Sequence, residues 1–385
     1  MKIAIIGLGL RLGYVARVFS ALVPDLEIVG YVDPSPVGLP YTQEYQIDTG
    51  KAFDDIDTLL ALPDLDLVLI GSPNFLHLDH IRAALEAGHR VFCEKPIVTT
   101  EEQTLALAEL IHRFGVDRIL VGLVMRYTPL YADVRALVDN GTMGAISSIE
   151  ASEHIPPYHG AFFMRDWRRY EKYSGGFLLE KCCHDLDIYQ GLIGARASRV
   201  ASFGGRKLFT PQNAALERAD IHHIKPAGWN GSDAVFDNDG DIVDYQTAII
   251  EYQNGTTMAF HTNLNVPDLF RRFCIVGATA TAEGDFIRNT LQVHTSPAGE
   301  KIIDNHHYSR TELGHHYGGD ERMVKDIVDH LLHQKPLPVS VVDALEAGLT
   351  AIKIDQARRS GQVVDLTDSW QRFDAVLSGE QVSHA

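Results

Sequence analysis

Short apolar runs alternate with segments of helical periodicity over the first third of the chain. The runs "KIAII" and "LEIVGYVD" flank "YVARVFSALV", whose apolar residues recur at the spacing of one helix face. The alternation continues through "LDLVLI", "HLDHIRAALEAG", "HRVFC", "TTEEQTLALAELIHRFG" and "RILVG". Apolar strands that alternate with helices predict a doubly wound parallel sheet.

The pattern changes from Ile146 onward, where apolar and polar positions form longer strands. Asn254-Gly255 is typical of a hairpin turn, and two amphipathic helices follow, "DERMVKDIVDHLLH" and "VVDALEAGLTAIKIDQARR". The fold class that we predict is therefore α/β. It combines an N-terminal doubly wound parallel sheet of the Rossmann type with a C-terminal α+β domain that has a large, mostly antiparallel open sheet. The strands that we predict in this second domain are "AISSIEASEHI", "DIVDYQTAIIEY", "TTMAFHTNLNV", "FRRFCIVGA" and "TAEGDFIR".

A glycine-rich turn, "GLGLRLG", joins the first strand to the first helix. Gly7 allows the tight turn, and Gly9 lets the backbone approach a pyrophosphate that the helix N-terminus can bind. The second strand ends at Asp33, 20 residues beyond Gly13, where a carboxylate can accept hydrogen bonds from a ribose diol. Although the third glycine comes one position later than in the common G-x-G-x-x-G, this arrangement predicts dinucleotide binding.

The same region bears on which dinucleotide binds. No Lys or Arg occurs between Tyr31 and Gly50, and Asp33 would repel a 2′-phosphate. We therefore predict NAD, with NADP the less favoured cofactor. Arg11, a positive charge inside the glycine turn, argues the other way.

The charge of the chain limits its partners. Lys and Arg number 34 against 51 Asp and Glu, so 34 − 51 gives a net charge of −17. Such a balance argues against binding to nucleic acid or to an anionic membrane surface. The sequence has no run of about 18 apolar residues that would predict a membrane span. Glycines interrupt the apolar N-terminal segment, unlike a signal peptide, and the cysteine spacing predicts no disulfide framework, so we expect a cytoplasmic protein.

Polar residues follow the strands of the first domain at the edge where a doubly wound sheet binds its ligands. They are Ser72, Pro73 and Asn74 after one strand, and Glu94, Lys95 and Pro96 after the next. A lysine near a bound nicotinamide could exchange a proton with a substrate hydroxyl, because burial and the positive ring would lower its pKa. The alternative is a surface lysine that is paired with an acid.

The glycine turn, "SPNFLH", "CEKP" and "GGFLLEKCCHDLD" together resemble the Gfo/Idh/MocA family of oxidoreductases (glucose–fructose oxidoreductase, inositol dehydrogenase and relatives). The resemblance extends from Lys2 to about Leu366. It implies an NAD-binding domain over residues 1–124 and a substrate-binding and oligomerisation domain over 125–367. From the sequence pattern we predict that residues 368–385 form a tail. It also implies a homodimer or homotetramer that forms through the C-terminal sheet.

The resemblance implies roles for individual residues. Lys95 matches the catalytic lysine and Glu94 a ligand of the nicotinamide ribose, while "SPNFLH" is similar to the family's T-P-N-x-x-H, with Ser72 in place of Thr. "MRYTPLY" is similar to the segment that enters the second domain. The cofactor-binding residues that we predict are Gly7, Leu8, Gly9, Arg11, Leu12, Asp33, Ser72, Pro73, Asn74, His77, Glu94, Lys95 and Arg126.

The stretch "GGFLLEKCCHDLD" predicts a helix that faces the substrate. By the resemblance, His184 and Lys95 form the proton-transferring pair and Glu180 binds a substrate hydroxyl. Glu180 and His184 are four residues apart and therefore share a helix face. Two departures from the family pattern stand out: Glu occupies a position where Asp is commoner, and Lys181 adds another proton carrier. We predict no metal site, because the consecutive Cys182, Cys183 and His184 point about 100° apart on a helix.

The loop from His154 to Gly176 combines arginines with aromatic residues and leads into the predicted site helix. Aromatic rings can stack on sugars, and arginine can bind a carboxylate, sulfonate or phosphate group. The alternative is a packed aromatic loop with solvated arginines. "GHHYGGD" resembles a family loop that precedes a long helix, so His315 or His316 could touch the substrate. The substrate-binding residues that we predict are Lys95, Tyr127, Arg165, Trp167, Arg168, Glu180, Lys181, His184 and His316.

The sequence therefore predicts an NAD-dependent oxidoreductase that acts on a hydroxyl of a sugar, polyol or glycoside. One alternative is an NAD-dependent, redox-neutral glycosidase that oxidises C3 transiently, eliminates the aglycone, adds water and reduces the ketone. Its substrate could be anionic, such as a uronate or a sulfonate sugar. A second alternative is a dinucleotide-binding sensor without turnover.

Overall fold

The computed structural model describes residues 1–223, 234–295, 299–308 and 315–380. Its first sheet has six parallel strands in the order β3-β2-β1-β4-β5-β6. Strand order reverses between β1 and β4, and such a switch point forms a crevice at the carboxyl ends of the strands. The predicted parallel sheet is confirmed. Its strands are β1 (Lys2–Ile6), β2 (Glu27–Val32), β3 (Lys51–Ala52), β4 (Leu67–Ile70), β5 (Val91–Cys93) and β6 (Ile119–Val121).

Helices alternate with these strands, as the sequence pattern predicted. Every residue of β4 is buried, which explains why this strand is a continuous apolar run rather than an alternating one. The two-residue β3 was missed because its residues, Lys51 and Ala52, are exposed and carry no apolar pattern. The helices are α1 (Leu10–Leu22), α2 (Leu39–Glu44), α3 (Ile56–Leu60), α4 (His77–Glu86) and α5 (Glu101–Phe114).

The second sheet has nine strands in the order β14-β13-β12-β11-β7-β10-β9-β8-β15. Only the β7–β10 pair runs parallel among the described strand pairs, so the prediction of a mostly antiparallel sheet is confirmed. The sequence analysis missed β8, β13, β14 and β15. The strands are β7 (Ile146–His154), β8 (Ala197–Gly205), β9 (Tyr245–Tyr252), β10 (Thr257–Asn263), β11 (Phe270–Gly277), β12 (Ala280–Asp285), β13 (Thr290–Thr295), β14 (Glu300–His307) and β15 (Val364–Asp365).

Helices cover one face of the second sheet and connect it to the first domain. Nearly all of α9 is buried, including several of its charged residues, and α9 packs against α12 and β7. Helix α12 begins at a capping box in which Ser340 and Asp343 exchange hydrogen bonds. The helices are α6 (Pro129–Asp139), α7 (Pro157–Phe163), α8 (Glu171–Ser174), α9 (Phe177–Ile193), α10 (Ala219–His222), α11 (Gly319–His333), α12 (Val341–Ser360) and α13 (Thr367–Ser378).

The prediction of a tail over 368–385 is wrong for most of that segment. Helix α13 packs against α5 of the first domain, and it buries Trp370 and Phe373, which lie three residues apart on one helix face. The hydroxyl of Ser369 also donates a hydrogen bond to Glu101 at the start of α5. The C-terminal helix therefore packs onto the first domain. Residues 381–385 lie outside the described residues.

Candidate active site

The glycine turn has the backbone geometry that dinucleotide binding requires. Gly7 has a φ of +87°, and a Cβ atom there would lie 2.5 Å from the backbone nitrogen of Ser72. A Cβ atom on Gly9 would instead enter open space, with no described atom within 4 Å. No side chain among the described residues caps the N–H groups that begin α1. The turn thus leaves room for a phosphate group beside free backbone donors.

The two leucines of the turn serve the core. Leu8 and Leu12 are fully buried. Leu12 packs so closely on Gly71 that a side chain at position 71 would clash with it. These residues could therefore touch a cofactor through their backbone alone. Asp33 directly follows β2, and its Oδ1 accepts a hydrogen bond from the backbone N–H of Ser35 at 2.7 Å, which orients the carboxylate.

The turn after β4 is fixed by His77. The ring nitrogens of this buried histidine lie 2.8 Å from the carbonyl oxygens of Pro96 and Ser72. His77 thereby joins the loops that follow β4 and β5. Asn74 donates a hydrogen bond to the carbonyl of Ser174 at 3.2 Å, so the same turn contacts the segment that leads into α9.

Arg11 connects the glycine turn to both domains. Its Nε lies 2.6 Å from Oε1 of Glu94, and its Nη1 lies 2.7 Å from Oδ1 of Asp320 on α11. Burial lowers the pKa of Arg11, but the charges of Asp320 and Glu94 outweigh burial and raise it. The nearby carboxylates thus neutralise the positive charge that had argued for NADP. Sequence reasoning missed Asp320, which is distant from Arg11 in the chain.

Lys95 extends from the end of β5 to the start of α9. Its Nζ donates a hydrogen bond to the backbone carbonyl of Glu180 at 2.7 Å. Gly175 and Gly176 both have positive φ and form the sharp turn that precedes α9. A Cβ atom on Gly175 would lie 3.1 Å from the carbonyl oxygen of Thr99, so this glycine lets α9 approach the loop after β5. The motifs "CEKP" and "GGFLLEKCCHDLD" are therefore in contact.

Glu180 is buried and only partly satisfied. Its Oε1 accepts a hydrogen bond from Nε of Arg168 at 3.1 Å, whereas its Oε2 has no hydrogen-bond partner within the described part of the chain. Burial raises the pKa of Glu180, against the opposing charges of Arg168 and Lys95. The guanidinium of Arg168 lies over the rings of Phe162 and Trp167, at 4.1 and 4.3 Å from their centres.

His184 lies one helical turn beyond Glu180. Burial lowers its pKa well below the ordinary value, and the charge of Lys95 lowers it further. The ring is therefore neutral near pH 7, and its Nδ1 has no hydrogen-bond partner among the described residues. The ring of His316 lies 6.1 Å from that of His184, centre to centre. Free, buried polar atoms on Glu180 and His184 are typical of a site that a ligand completes.

Lys181 belongs to a buried network of charges beneath this site. Its Nζ lies 3.0 Å from Oε1 of Glu153 on β7. Arg271 on β11 binds both carboxylate oxygens of Asp185 at 2.8 Å and lies 3.5 Å from Oε2 of Glu153. Glu153, Cys182 and Asp185 come close enough to share an ion, but Lys181 and Arg271 already supply positive charge to the two carboxylates.

Two arginines that were predicted to bind ligands pair with other parts of the chain. Arg165 is 1% exposed and donates a hydrogen bond to the carbonyl of His222. Arg126 is directed toward α9, where it binds both carboxylate oxygens of Asp187 at 2.7 and 2.9 Å. The sequence could not show these pairings because the partners lie 57 and 61 residues away. Tyr127, also predicted to touch the substrate, is 5% exposed.

Two protein-family models match the chain. One, described as "Oxidoreductase family, NAD-binding Rossmann fold", matches residues 1–122, and the other, "Oxidoreductase family, C-terminal alpha/beta domain", matches residues 135–366. The chain belongs to the Gfo/Idh/MocA oxidoreductase family. The resemblance of its motifs to that family is thereby confirmed, as is the fold class. None of the helices in the described residues combines the length and apolar character needed to cross a bilayer.

Relatives in the family act on polyols and sugars. The scyllo-inositol 2-dehydrogenase (NAD(+)) of Bacillus subtilis is 31% identical over 209 residues, which cover 53% of this chain and 57% of that protein. The 2,7-anhydro-N-acetylneuraminate hydratase of Mediterraneibacter gnavus is 28% identical over 200 residues, which cover 50% of each. The chain thus spans about half the length of both relatives.

Solved structures match almost the whole chain. Levoglucosan dehydrogenase in complex with NADH and L-sorbose has a TM-score of 0.75 at 18% identity, covering 95% of this chain and 98% of that one. The myo-inositol dehydrogenase of Corynebacterium glutamicum has a TM-score of 0.70 at 22% identity, covering 95% and 99%. At these identities the likeness shows the fold.

The residues at the switch point suit an NAD molecule. The open space beside Gly9 would accommodate a pyrophosphate, and Asp33 would accept hydrogen bonds from a ribose diol. Nη2 of Arg11 is buried and has no hydrogen-bond partner in the described ranges, so it is available to a polar group in the crevice. Glu94 and Lys95 lie at the neighbouring strand end, where the family resemblance predicts contact with the nicotinamide ribose.

Proposed function

We propose that the protein oxidises a hydroxyl group of a sugar, polyol or glycoside with NAD as the hydride acceptor. The observation that supports this most directly is the meeting of Lys95, Glu180 and His184 beside the glycine turn. Lys95 is hydrogen-bonded to the backbone of Glu180, and its charge acts on the ring of His184 one helical turn farther along α9. The polyol and sugar dehydrogenases among the relatives support the same substrate class.

Each residue would perform one part of the reaction. The free Oε2 of Glu180 would accept a hydrogen bond from a substrate hydroxyl and so orient the sugar. Lys95 and the neutral ring of His184 would remove the hydroxyl proton as the C–H bond breaks. Bound NAD would supply the hydride acceptor at its nicotinamide C4.

Two features favour NAD over NADP. The carboxylate of Asp33 follows β2, where it would repel a 2′-phosphate. Nε and Nη1 of Arg11 are paired with Glu94 and Asp320, whose negative charges would oppose such a phosphate.

The redox-neutral alternative rests on a separate observation. Lys181 and His316 adjoin the proposed pair and would serve additional proton transfers, and one relative is named a hydratase. In this reaction the transient ketone would allow elimination of an aglycone and addition of water. NAD would then be regenerated within one active site.

Arg168 is the loop residue that best suits an anionic group on the substrate. Arg165 is buried, and Arg169 pairs with Asp239 at 3.0 Å. Arg168 stacks on Phe162 and Trp167 and orients Glu180. The guanidinium of Arg168 would pair with a carboxylate or sulfonate of the substrate, and the two aromatic rings would stack on the sugar.

One assay with two readouts tests the proposal. The protein is incubated with and without added NAD, together with inositols, free sugars, uronates, sulfonate sugars and chromogenic glycosides, while NADH and released aglycone are followed together. NADH that accumulates with oxidised sugar would support the dehydrogenase. Aglycone release that depends on NAD but gives no net NADH would favour the redox-neutral glycosidase. NAD binding without either product would contradict both and favour a sensor.

A further inference from the structure

His316 and Asp320 form a hydrogen-bonded pair at the start of α11. Nδ1 of His316 lies 2.8 Å from Oδ2 of Asp320, and the other carboxylate oxygen lies 2.7 Å from Arg11. Burial alone would raise the pKa of Asp320, but Arg11 and His316 outweigh burial and lower it, so the carboxylate stays ionised. Burial lowers the pKa of His316 against the pull of Asp320. A neutral ring that donates Nδ1–H to a carboxylate keeps a lone pair on Nε2, the arrangement of an oriented general base.

This pair lies near His184 and Lys181 of α9. The rings of His316 and His184 are 6.1 Å apart, centre to centre. The positive charge of Lys181 contributes to the lowered pKa of both histidines. Lys181 and His184 are three residues apart on α9 and therefore lie on one face of that helix.

Lys181 is paired with a buried carboxylate. Oε1 of Glu153 lies 3.0 Å from its Nζ, and Arg271 holds the other oxygen of Glu153 at 3.5 Å. Burial would raise the pKa of Glu153, but Arg271 and Lys181 outweigh burial and lower it, so Glu153 keeps its negative charge. Lys181 thus has a fixed counter-ion beside its Nζ, from which it can donate a proton.

We propose that His316 and Lys181 form a second acid–base pair, which eliminates a leaving group two carbons away from the carbon that has been oxidised. This inference rests on the proposed function, because only oxidation to a ketone makes the neighbouring C–H bond acidic. Nε2 of His316 takes the proton from that carbon, and the C–H electron pair forms a C=C bond. The bond from the next carbon to its oxygen substituent breaks, and the leaving oxygen takes a proton from Lys181. The products are an unsaturated ketone and a free alcohol, and the reverse sequence adds water.

The substrate class follows from this chemistry. It is a glycoside or other sugar in which an oxygen leaving group stands two carbons from the hydroxyl that is oxidised. Lys95 and His184 would act on the hydroxyl proton, and the second pair would act on carbon and on the leaving oxygen.

Exchange with heavy water tests the proposal. The NAD-loaded protein is incubated in D₂O with the compound of the assay panel that gives NADH, and recovered sugar is analysed by NMR and mass spectrometry. The wild type is expected to incorporate deuterium at the carbon beside the oxidised one. For His316→Asn, we expect the ratio of deuterium incorporated to NADH formed in a single turnover to fall by about 100-fold or more. The control is His333→Asn at the exposed end of α11.

Two results would overturn the proposal. One is NADH formation without deuterium exchange in the wild type, and the other is an unchanged ratio in His316→Asn, either with both signals kept or with an equal loss of both. An equal loss would place His316 in the hydride step. Failure of the proposed function is distinct, because the wild type would then give neither NADH nor NAD-dependent release of aglycone.

A second measurement needs no substrate. Nitrogen-15 NMR of the histidine rings, assigned with His316→Asn, reports which ring nitrogen carries a proton. A neutral His316 with its proton on Nδ1 at pH 7 is expected, given Asp320, Arg11, Lys181 and His184 around it. An imidazolium, or a proton on Nε2 alone, would overturn the assignment of His316 as the base.

Discussion

Lys95, Glu180 and His184 could be placed from the sequence because each lies in a short motif with strong local geometry. Lys95 follows a buried strand, and the Glu180–His184 spacing of four fixes a shared helix face. The two motifs meet because the loop after β5 approaches the glycines before α9. Neither motif shows this approach by itself. The resemblance to a family supplied that link.

Charged residues whose partners are distant in the chain were the hardest to place. Arg165 and Arg126 are of a residue type that often binds ligands. Each instead donates hydrogen bonds to a buried group far along the chain, the carbonyl of His222 and the carboxylate of Asp187. The His316–Asp320 pair could have been found, because the two residues are four apart in "GHHYGGD" at a helix start. The ion pair between Asp320 and Arg11 could not have been found from the sequence, because the two residues are far apart in the chain.

Asp33 is expected to set the cofactor preference. In Asp33→Ala, kcat/KM with NAD should fall by roughly 10- to 100-fold, because charge-assisted hydrogen bonds contribute about 1.5–3 kcal/mol. The ratio of NAD to NADP use should fall with it, since the repulsion of a 2′-phosphate is removed. Steady-state kinetics with both cofactors measures this, with the exposed Glu44→Ala as control. An unchanged ratio would contradict the role of Asp33.

His80 is expected to make the fold sensitive to acid. Its ring lies 2.8 Å from the hydroxyl of Ser72, and burial, together with His77, lowers its pKa to about 4. Below its ordinary pKa of about 6.5, the unfolded chain binds a proton that the folded protein does not, so stability is lost as pH falls from 6.5 toward 4. Urea unfolding of wild type and His80→Gln at several pH values measures this. The stability of the variant relative to wild type should rise as pH falls, and a constant difference would refute the claim.

At the scale of elements, exposure decides which parts of the fold the sequence could predict. The buried strands of the first sheet and the long helices α11 and α12 have strong periodicity and were predicted close to their observed bounds. Strands β13, β14 and β15 lie at the margins of the second sheet, where few apolar positions mark them. Helix α13 was taken for a tail because its apolar residues are few, although two of them are deeply buried.

Helix α13 is expected to stabilise the whole protein. Phe373 is fully buried, and its replacement by alanine should lower the free energy of unfolding by about 3–5 kcal/mol. Urea denaturation measures the effect. The control is Gln371→Ala, an exposed position on the same helix. If the two variants have equal stability, α13 does not contribute to the core as described.

At the scale of the whole molecule, the outer face of the second sheet remains available for association. Phe203 and Ile249 are 77% and 51% exposed on the neighbouring strands β8 and β9. Their alternate neighbours face the core, so the apolar character of these positions has no role within one chain. We propose, as the family resemblance implies, that a second copy covers this face.

Sedimentation velocity tests the proposed association. The wild type should sediment as a dimer or tetramer, and Ile249→Lys should shift it toward the single chain by placing charge in the interface. The control is Leu332→Lys, an equally apolar and exposed position on α11, away from the sheet. A wild type that sediments as a single chain, or an Ile249→Lys variant that associates normally, would contradict the proposal.

The central claim is that Lys95 moves the proton that accompanies hydride transfer, and a single-turnover measurement tests it most directly. NADH absorbance is followed after the wild type and Lys95→Ala, each saturated with NAD, are mixed with the preferred sugar. The control is Lys172→Ala, at an exposed position on α8. The account predicts that Lys95→Ala still binds NAD but forms NADH at least about 100-fold more slowly. NADH formation at the wild-type rate in Lys95→Ala would contradict the assignment of the active site.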